Sequence, residues 1–194
     1  AESTPNTRVS DTLVSGTLKG TIKNNCRTKS GDVVVYLDGI KKSTTHPLIK
    51  VKQKGRRFLP NFMVLPVGGR IQFSNDETRD ITHNVFSRSP LWSKELGVFM
   101  PEDKQIYTFP KPGKIRVLCS IHRDMRLLVF VTPNSHFSEM KQENYEIKGI
   151  PPGTYKVKVW CARPRVFSPS HNVTIRSGQE TILPIDLQCR GRGR

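Results

Sequence analysis

Apolar and polar residues alternate along much of this chain, and a period of two is typical of β-strands with one buried face. Ile115, Val117 and Cys119 share one parity, while Lys114 and Arg116 take the other. A second run resumes the inward parity after a short break: Met125, Leu127, Val129 and Val131. The pattern predicts two strands joined by a short loop, with Cys119 ending the first strand and Met125 beginning the second.

Another inward face is predicted upstream, in a strand over 80–86. Ile81, His83 and Val85 occupy alternate positions in that segment. Because alternate side chains point to the same face of a strand, His83 is expected to face the same core as Cys119. The strand therefore carries an imidazole towards the short loop.

The segment 58–76 continues the pattern. Met63–Leu65 is predicted as a strand, a turn follows at Pro66–Gly69, and Ile71 and Phe73 face inward on the next strand. Few segments of the chain show the period of a helix, so the whole protein is predicted to be all-β.

The two ends of the chain also contain predicted strands, which lie at 13–23, 31–39, 145–160, 171–175 and 180–187. The segment 145–160 is interpreted as a hairpin with its turn at Pro151–Gly153, and the last two segments as a strand pair. Neither end has enough strands to close a sandwich alone. We therefore expect the two ends to form one domain that the central segment interrupts.

Length and composition are compatible with this organisation. The chain has 194 residues, of which 35% are hydrophobic, and this suffices for one large or two small β domains. No apolar run of about 18 residues occurs, so no transmembrane helix is predicted. The polar beginning Ala1–Pro5 is typical of an exported protein after removal of a signal peptide. The protein is expected to be soluble and periplasmic, or otherwise exported.

Four side chains with metal-binding chemistry lie on the predicted strands and their loop. Cys119 offers a thiolate, His83 and His122 offer imidazoles, and Met125 offers a thioether. Taken singly, a buried cysteine or methionine is more often a core residue than a ligand. Taken together, in this order and with this short loop, they match the two histidines, one cysteine and weak axial methionine of a blue-copper site. The sequence thus predicts one mononuclear copper ion that cycles between Cu(I) and Cu(II).

These residues also carry a family resemblance. The sequence His83-Asn-Val-Phe-Ser, followed by Cys119-x2-His122-x2-Met125, resembles the cupredoxins, and its loop is similar to the short amicyanin type. The resemblance covers about residues 52–132. It implies a Greek-key β-sandwich with a copper site at one end.

The resemblance also implies roles for individual residues. By this resemblance, His83, Cys119 and His122 would be the equatorial ligands, and Met125 would be the axial ligand. It further implies a second shell in which Asn84 hydrogen-bonds to the residue beside the cysteine, Ser120. Such contacts orient the ligands of a metal site.

The ends of the chain resemble a second family. The Ile-Pro-Pro-Gly-Thr-Tyr turn at 150–155 is similar to the small transthyretin-like sandwich of carboxypeptidase regulatory domains. The implied fold is an all-β cupredoxin Greek-key β-sandwich inserted in, or packed on, a small transthyretin-like β-sandwich. This combination resembles bacterial plastocyanin-like proteins of the methylamine-utilisation type.

The predicted segments are an N-terminal tail at 1–9, the first part of the transthyretin-like sandwich at 10–51, the cupredoxin domain at 52–132, the second part of the transthyretin-like sandwich at 133–188, and a basic C-terminal tail at 189–194.

Three cysteines remain after Cys119 is assigned to copper: Cys26, Cys161 and Cys189. Three cannot all pair within one chain, so one disulfide and one free thiol are expected in an oxidising compartment. Cys26–Cys189 is preferred because it would tie the chain ends together. Cys161–Cys189 and three unpaired thiols remain the alternatives.

The charge of the chain predicts anionic partners. Lys and Arg number 32 against 16 acidic residues, for a net charge of +16. Arg123 and Arg126 lie in or beside the loop between Cys119 and Met125, which we call the ligand loop. They are the predicted docking residues. The expected partner is an acidic redox protein such as a cytochrome, or a redox enzyme. An anionic membrane or cell-wall surface is the alternative, and nucleic acid is not expected because no nucleic-acid motif is present.

Three functions are compatible with these observations. A single-electron carrier with a type 1 copper site is favoured. A copper carrier or chaperone would need exposed methionine and histidine clusters, whereas the four methionines are dispersed. A structural or adhesion module with incidental copper is the third. Catalysis by the chain itself is not expected, since it contains neither the His-x-His pair of additional copper sites nor a Gly-x-Ser-x-Gly motif.

Overall fold

The computed structural model describes residues 14–41 and 46–190. These residues form nineteen strands and no helix, so the predicted all-β class is confirmed. In chain order the strands are β1 Gly16–Lys23, β2 Val33–Asp38, β3 Leu48–Gln53, β4 Phe58–Leu59, β5 Phe62–Pro66, β6 Arg70–Asn75, β7 His83–Ser89, β8 Trp92–Phe99, β9 Lys104–Thr108, β10 Gly113–Leu118, β11 Arg126–Thr132, β12 Phe137–Glu139, β13 Asn144–Ile150, β14 Gly153–Cys161, β15 Val166–Phe167, β16 His171–Ile175, β17 Glu180–Ile182, β18 Ile185–Asp186 and β19 Gln188–Cys189. The predicted tail at 1–9 and the residues 191–194 lie outside the described ranges. None of the described residues forms a helix with the length and hydropathy that a membrane span requires.

The middle of the chain forms a sandwich, which we call the central sandwich. One of its sheets has the strand order β5-β11-β10-β7-β8, and the other has the order β4-β3-β6-β9. The alternation predicted for β10 and β11 is observed, since Ile115, Val117, Leu127 and Val129 are all buried in the core between the sheets. Burial of these apolar side chains is the main force that holds the two sheets together.

The central sandwich begins earlier in the chain than predicted. All six residues of β3 pair in parallel with β6, from Leu48 opposite Arg70 to Gln53 opposite Asn75. The boundary predicted between residues 51 and 52 therefore falls inside a strand of the central sandwich. The correct boundary precedes Leu48.

The strand that carries His83 begins later than predicted. β7 starts at His83, whereas the alternation indicated a strand from residue 80. The side-chain amide of Asn75 donates hydrogen bonds to the backbone oxygens of Ile81 and Phe99, both at 2.9 Å. The backbone oxygen of Ile81 thus bonds to a side chain and not to a neighbouring strand. Residues 80–82 form part of a loop, and Ile81 is only half-buried.

Strands from both ends of the chain form a second sandwich, which we call the flanking sandwich. One sheet has the order β13-β1-β17, with β18 beside β1, and the other has the order β12-β2-β14-β16. Their inner faces share one core, in which Leu18, Val35, Ile147 and Val157 are buried. The likeness of this sandwich to a transthyretin-like domain remains a prediction.

Two strand pairings predicted for the flanking sandwich are wrong. β13 pairs with β1, while β14 pairs with β2 and β16, so the segment 145–160 is not a hairpin. The Pro151–Gly153 turn instead carries the chain from one sheet to the other. β16 and β17 likewise lie in different sheets. The period of two shows which side of a strand faces the core, but it does not show which strand is the hydrogen-bonded neighbour.

The two sandwiches share an apolar interface. Trp160 of β14 stacks on Phe130 of β11, with ring centroids 4.2 Å apart and an interplanar angle of 6°. Trp160 also stacks on Phe62 at 5.9 Å, and Val34 and Val64 are buried in the same cluster. Each stacked pair adds about 0.5–1.5 kcal/mol to the contribution of its buried area. The outer face of one flanking sheet therefore packs against the outer face of one central sheet.

The preferred disulfide is confirmed. Cys26 and Cys189 are bonded, with a Cα–Cα distance of 5.6 Å, and Cys161 is a free thiol whose pKa is raised by burial. Cys189 belongs to β19, which pairs with β15. The tail predicted from residue 189 therefore starts too early, since the fold extends through Cys189.

Candidate metal centre

Three adjacent strands position the candidate ligands at one end of the central sandwich. His83 is the first residue of β7, Cys119 follows the last residue of β10, and Met125 precedes the first residue of β11. β10 pairs with β11 along its whole length and with β7 through Leu118. Pairing of these three strands brings residues that are distant in sequence to the same edge of one sheet.

The donor atoms of three residues lie within metal-binding distance of one another. Nδ1 of His83 is 3.1 Å from Nδ1 of His122, and Sγ of Cys119 is 3.9 Å from the same His122 nitrogen. The three atoms lie within 4.8 Å of each other. Two bonds of about 2.0–2.3 Å to a shared ion place ligand atoms roughly 3–4 Å apart, so this arrangement fits one metal ion. It is the only such group of His, Cys, Asp and Glu within 14–41 and 46–190.

The candidate ligands differ in their exposure to solvent. His83 is fully buried, Cys119 and Met125 are 4% and 1% exposed, and His122 is partly exposed. Met125 belongs to the same buried hydrophobic cluster as Cys119. His122 is thus the member of the set that reaches the protein surface.

The backbone of the ligand loop closes on itself. The N–H of Met125 donates to the carbonyl of His122 at 3.0 Å, and the N–H of Cys119 donates to the carbonyl of Met125 at 3.3 Å. These bonds fix the short turn that carries His122. The spacing between Cys119 and Met125 is therefore set by this hydrogen-bonded turn.

The predicted contact between Asn84 and Ser120 is present. The backbone N–H of Ser120 donates to Oδ1 of Asn84 at 2.7 Å, and Nδ2 of Asn84 donates to the carboxylate of Glu95 at 3.1 Å. Glu95 lies on β8 and was not predicted. The amide of Asn84 therefore ties the ligand loop to β7 and β8 at the same time.

One residue in contact with the site was missed by the sequence analysis. Oε1 of Glu77 lies 3.0 Å from Nε2 of His83, and the Glu77 side chain is only 7% exposed. Burial raises the pKa of Glu77, but hydrogen bonds from the backbone of Arg56, from His83 and from the backbone of Gly55 outweigh burial and lower it overall. A carboxylate directly after an inward-facing strand, as in Ser74-Asn-Asp-Glu77, is a sequence signal that could have suggested it.

The surroundings of His122 favour its neutral form. Burial lowers the pKa of His122, and the proximity of His83 and of the Arg56 guanidinium lowers it further. A neutral imidazole has a free ring-nitrogen lone pair, which is the form that binds metals.

The two predicted docking residues are exposed beside the site. Arg126 lies 3.4 Å from the fully exposed carboxylate of Asp124, and the Arg126 side chain is itself 70% exposed. Arg123 is exposed and forms no ion pair with any described residue. An exposed pair of this kind contributes little to stability, so the Arg126 guanidinium is free to exchange partners.

Comparisons with known proteins return copper proteins as structural neighbours. No protein-family model matches the chain, and no curated protein sequence matches it significantly. A copper-containing nitrite reductase from Thermus scotoductus SA-01 matches 48% of this chain at 25% identity with a TM-score of 0.41, but the match spans only 24% of that enzyme.

Two smaller proteins match over nearly their full length. A purple cupredoxin from Nitrosopumilus maritimus matches 43% of this chain and 99% of its own at 19% identity, with a TM-score of 0.39. Amicyanin, in the Cu(I) form of a mutant, matches 50% of this chain and 97% of its own at 16% identity, with a TM-score of 0.40. These neighbours are cupredoxins and include both small proteins and an enzyme. Because the matches are partial and the TM-scores are near 0.4, the assignment of the site rests on its own geometry.

Proposed function

We propose that this protein is a copper-binding, single-electron carrier with a type 1 copper site. The observation that carries the proposal is the convergence of Nδ1 of His83, Nδ1 of His122 and Sγ of Cys119 within 4.8 Å of one another. Met125 is the proposed weak axial ligand. A thiolate and a thioether suit Cu(I), and imidazoles suit both oxidation states of copper. Bound copper would supply the Cu(I)/Cu(II) couple.

The protein's contribution is to hold the donor set rigidly. His83 and Cys119 are buried in the core, and the ligand loop is fixed by its own hydrogen bonds and by Asn84. Because these ligands need not move when copper changes between Cu(I) and Cu(II), the reorganisation energy is small. A small reorganisation energy favours fast electron exchange. His122 is the proposed route of exchange because its ring reaches the surface.

The disulfide supports an exported location. Structural disulfides form and persist in oxidising compartments such as the bacterial periplasm and are rare in the cytosol. Cys26–Cys189 joins two residues 163 positions apart. We propose the periplasm as the compartment in which this protein works.

The proposal predicts a specific colour change. Loading with one equivalent of Cu(II) should give an intense thiolate-to-copper absorption band, because Cys119 would be bonded to the ion. Ascorbate should abolish the band, and reoxidation should restore it. A visible spectrum recorded through this cycle is the test, and a colourless Cu(II) complex would disprove the type 1 site.

We also propose that the partner is an acidic redox protein that docks over the ligand loop. The net charge of +16 and the exposed Arg123 beside His122 support this choice. Complementary charges raise association rates by steering the encounter, and salt screens this attraction. The Debye length falls from about 10 Å at 0.1 M salt to about 3 Å at 1 M.

The docking proposal predicts a steep salt dependence. The rate of electron transfer to an acidic cytochrome should fall as salt rises, and Arg123→Glu should lower both the rate and its salt dependence while leaving the copper spectrum unchanged. Stopped-flow kinetics at several salt concentrations measure both quantities.

Arg176→Glu provides the matched control. It makes the same change in net charge at an exposed position directly after β16 of the flanking sandwich, outside the central sandwich. If the two variants lowered the electron-transfer rate equally, the overall charge of the protein, and not a docking face at the ligand loop, would control the rate. A rate that ignores salt and Arg123→Glu would rule out steering and would favour an anionic membrane or cell-wall surface as the target of the basic residues.

A further inference from the structure

The Glu77 carboxylate lies against a proposed copper ligand, and the proposed function does not use it. One of its oxygens, Oε1, accepts hydrogen bonds both from Nε2 of His83 at 3.0 Å and from the backbone N–H of Arg56 at 2.9 Å. The side chain is 7% exposed. A nearly buried carboxylate is stable only where such donors replace the water that it loses.

A tight hairpin supplies the backbone donors. β3 and β4 pair in antiparallel fashion, and the turn between them is closed by two hydrogen bonds between Lys54 and Arg57. The central residues Gly55 and Arg56 have φ values of 61° and 57°. Positive φ at both central residues defines the two-residue hairpin turn that glycine favours at such positions. The N–H groups of Gly55 and Arg56 face Glu77, and successive turn amides of this kind form a concavity for an anion.

A second anchor fixes the loop that carries Glu77. The N–H of Glu77 donates to Oδ1 of Asn75 at 3.1 Å, while Nδ2 of Asn75 binds the carbonyls of Ile81 and Phe99. Asn75 is 1% exposed. The hairpin turn thus holds the carboxylate of Glu77, and Asn75 in the core of the sandwich holds its backbone. These two anchors restrict movement of the carboxylate away from His83.

The contact has a chemical consequence for His83. Donation from Nε2 to a carboxylate leaves the ring lone pair on Nδ1, and Nδ1 is the nitrogen that faces His122 and Cys119. An acceptor on the outer nitrogen fixes the tautomer and orientation of a metal-binding imidazole and makes the imidazole a more basic ligand. A negative charge beside the imidazole also favours the more positive metal ion.

We propose that Glu77, held by the 54–57 turn, is a positioning residue that aligns Nδ1 of His83 and stabilises Cu(II) relative to Cu(I). The proposal rests on the proposed copper site. It goes beyond that site by assigning control of the copper affinity and of the reduction potential to a residue that does not bind the metal.

The test is Glu77→Gln, which keeps a carbonyl oxygen but removes the charge. Loss of an outer partner of a ligand typically lowers metal affinity by about 10–100-fold, and we expect this loss mainly for Cu(II). A tenfold loss confined to Cu(II) corresponds to a rise of about 59 mV in the one-electron reduction potential. Voltammetry measures the potential, and the visible spectrum reports whether the ligand set is retained.

Asp76→Asn is the matched control. Asp76 precedes Glu77 and loses the same charge in this variant, but its carboxylate pairs with Lys52 at 3.2 Å and does not contact a histidine. A rise in potential for Glu77→Gln that clearly exceeds that of Asp76→Asn, with the thiolate band retained, would support the proposal. No rise, or an equal rise in both variants, would overturn it.

A further measurement separates this proposal from the copper assignment. If the wild-type protein gave no thiolate band, the proposed function would fail, and NMR of the metal-free protein would decide the role of Glu77. A slowly exchanging Nε2 proton of His83 that is lost in Glu77→Ala would support the positioning role. A rapidly exchanging Nε2 proton in the wild-type protein would overturn it.

Discussion

Copper-loaded Cys119→Ala is expected to lose the intense visible band completely. The band requires a thiolate bonded to Cu(II), and Cys119 is the one cysteine whose sulfur lies near the two histidine nitrogens. A Cu(II) ion bound only by the imidazoles and the thioether, without the thiolate, absorbs visible light only weakly. The measurement is a visible titration with Cu(II), accompanied by electron paramagnetic resonance to show that copper is still bound.

The chain offers a matched control for this experiment. Cys161 is the other free cysteine, and it lies in the flanking sandwich with its thiol pKa raised by burial. Cys161→Ala should therefore keep the full band. A band that survives Cys119→Ala, or one that disappears in Cys161→Ala, would show that the thiolate has been assigned to the wrong residue.

Removal of the disulfide should cost the protein a large part of its stability. In the chain-entropy description, a cross-link restricts the unfolded chain more strongly as the enclosed loop grows. Cys26 and Cys189 are 163 residues apart and enclose the whole central sandwich. The double variant Cys26→Ser/Cys189→Ser should lose about 2–5 kcal/mol in its free energy of unfolding. Urea denaturation followed by circular dichroism measures the loss.

The disulfide variant also has an internal comparison. Cys161→Ser removes a thiol from the same sandwich but leaves the disulfide intact, and it should change the stability much less. The copper band of the folded double variant should be normal, because Cys26 packs on the core of the flanking sandwich and Cys189 lies in the separate β15–β19 pair. A loss as large in Cys161→Ser, or a negligible loss in the double variant, would contradict the prediction.

The convergence of His83, Cys119 and His122 was predictable from the sequence because it depends on local rules. The parity of Ile115, Val117 and Cys119 fixes the face on which the thiol lies, and this parity is observed. The turn between Cys119 and Met125 is short enough that its residues must lie close together in any fold. His83 was reached by the same rule, although its strand starts at His83 and not at residue 80.

The contact around His83 could not be predicted in this way. Glu77 meets His83 through a loop that Asn75 shapes, and the carboxylate is held by a turn between two other strands. These partners come from three segments of the chain. Their proximity follows from the order of strands in the sheets, which the period of two does not encode.

The relation between the two sandwiches was likewise decided only by the tertiary structure. The alternation in β11 and β14 assigns Phe130 and Trp160 to the outer faces of their sheets, where a single sandwich would expose them to water. In the folded protein those faces pack against each other, and the rings of Phe130 and Trp160 stack at 4.2 Å. The sequence by itself thus determined the inward faces of β10 and β11 and the set of candidate ligands, because these depend on near neighbours. The pairing of β13 with β1, the carboxylate on His83 and the shared interface depend on contacts between distant segments, and those form only when the whole chain folds.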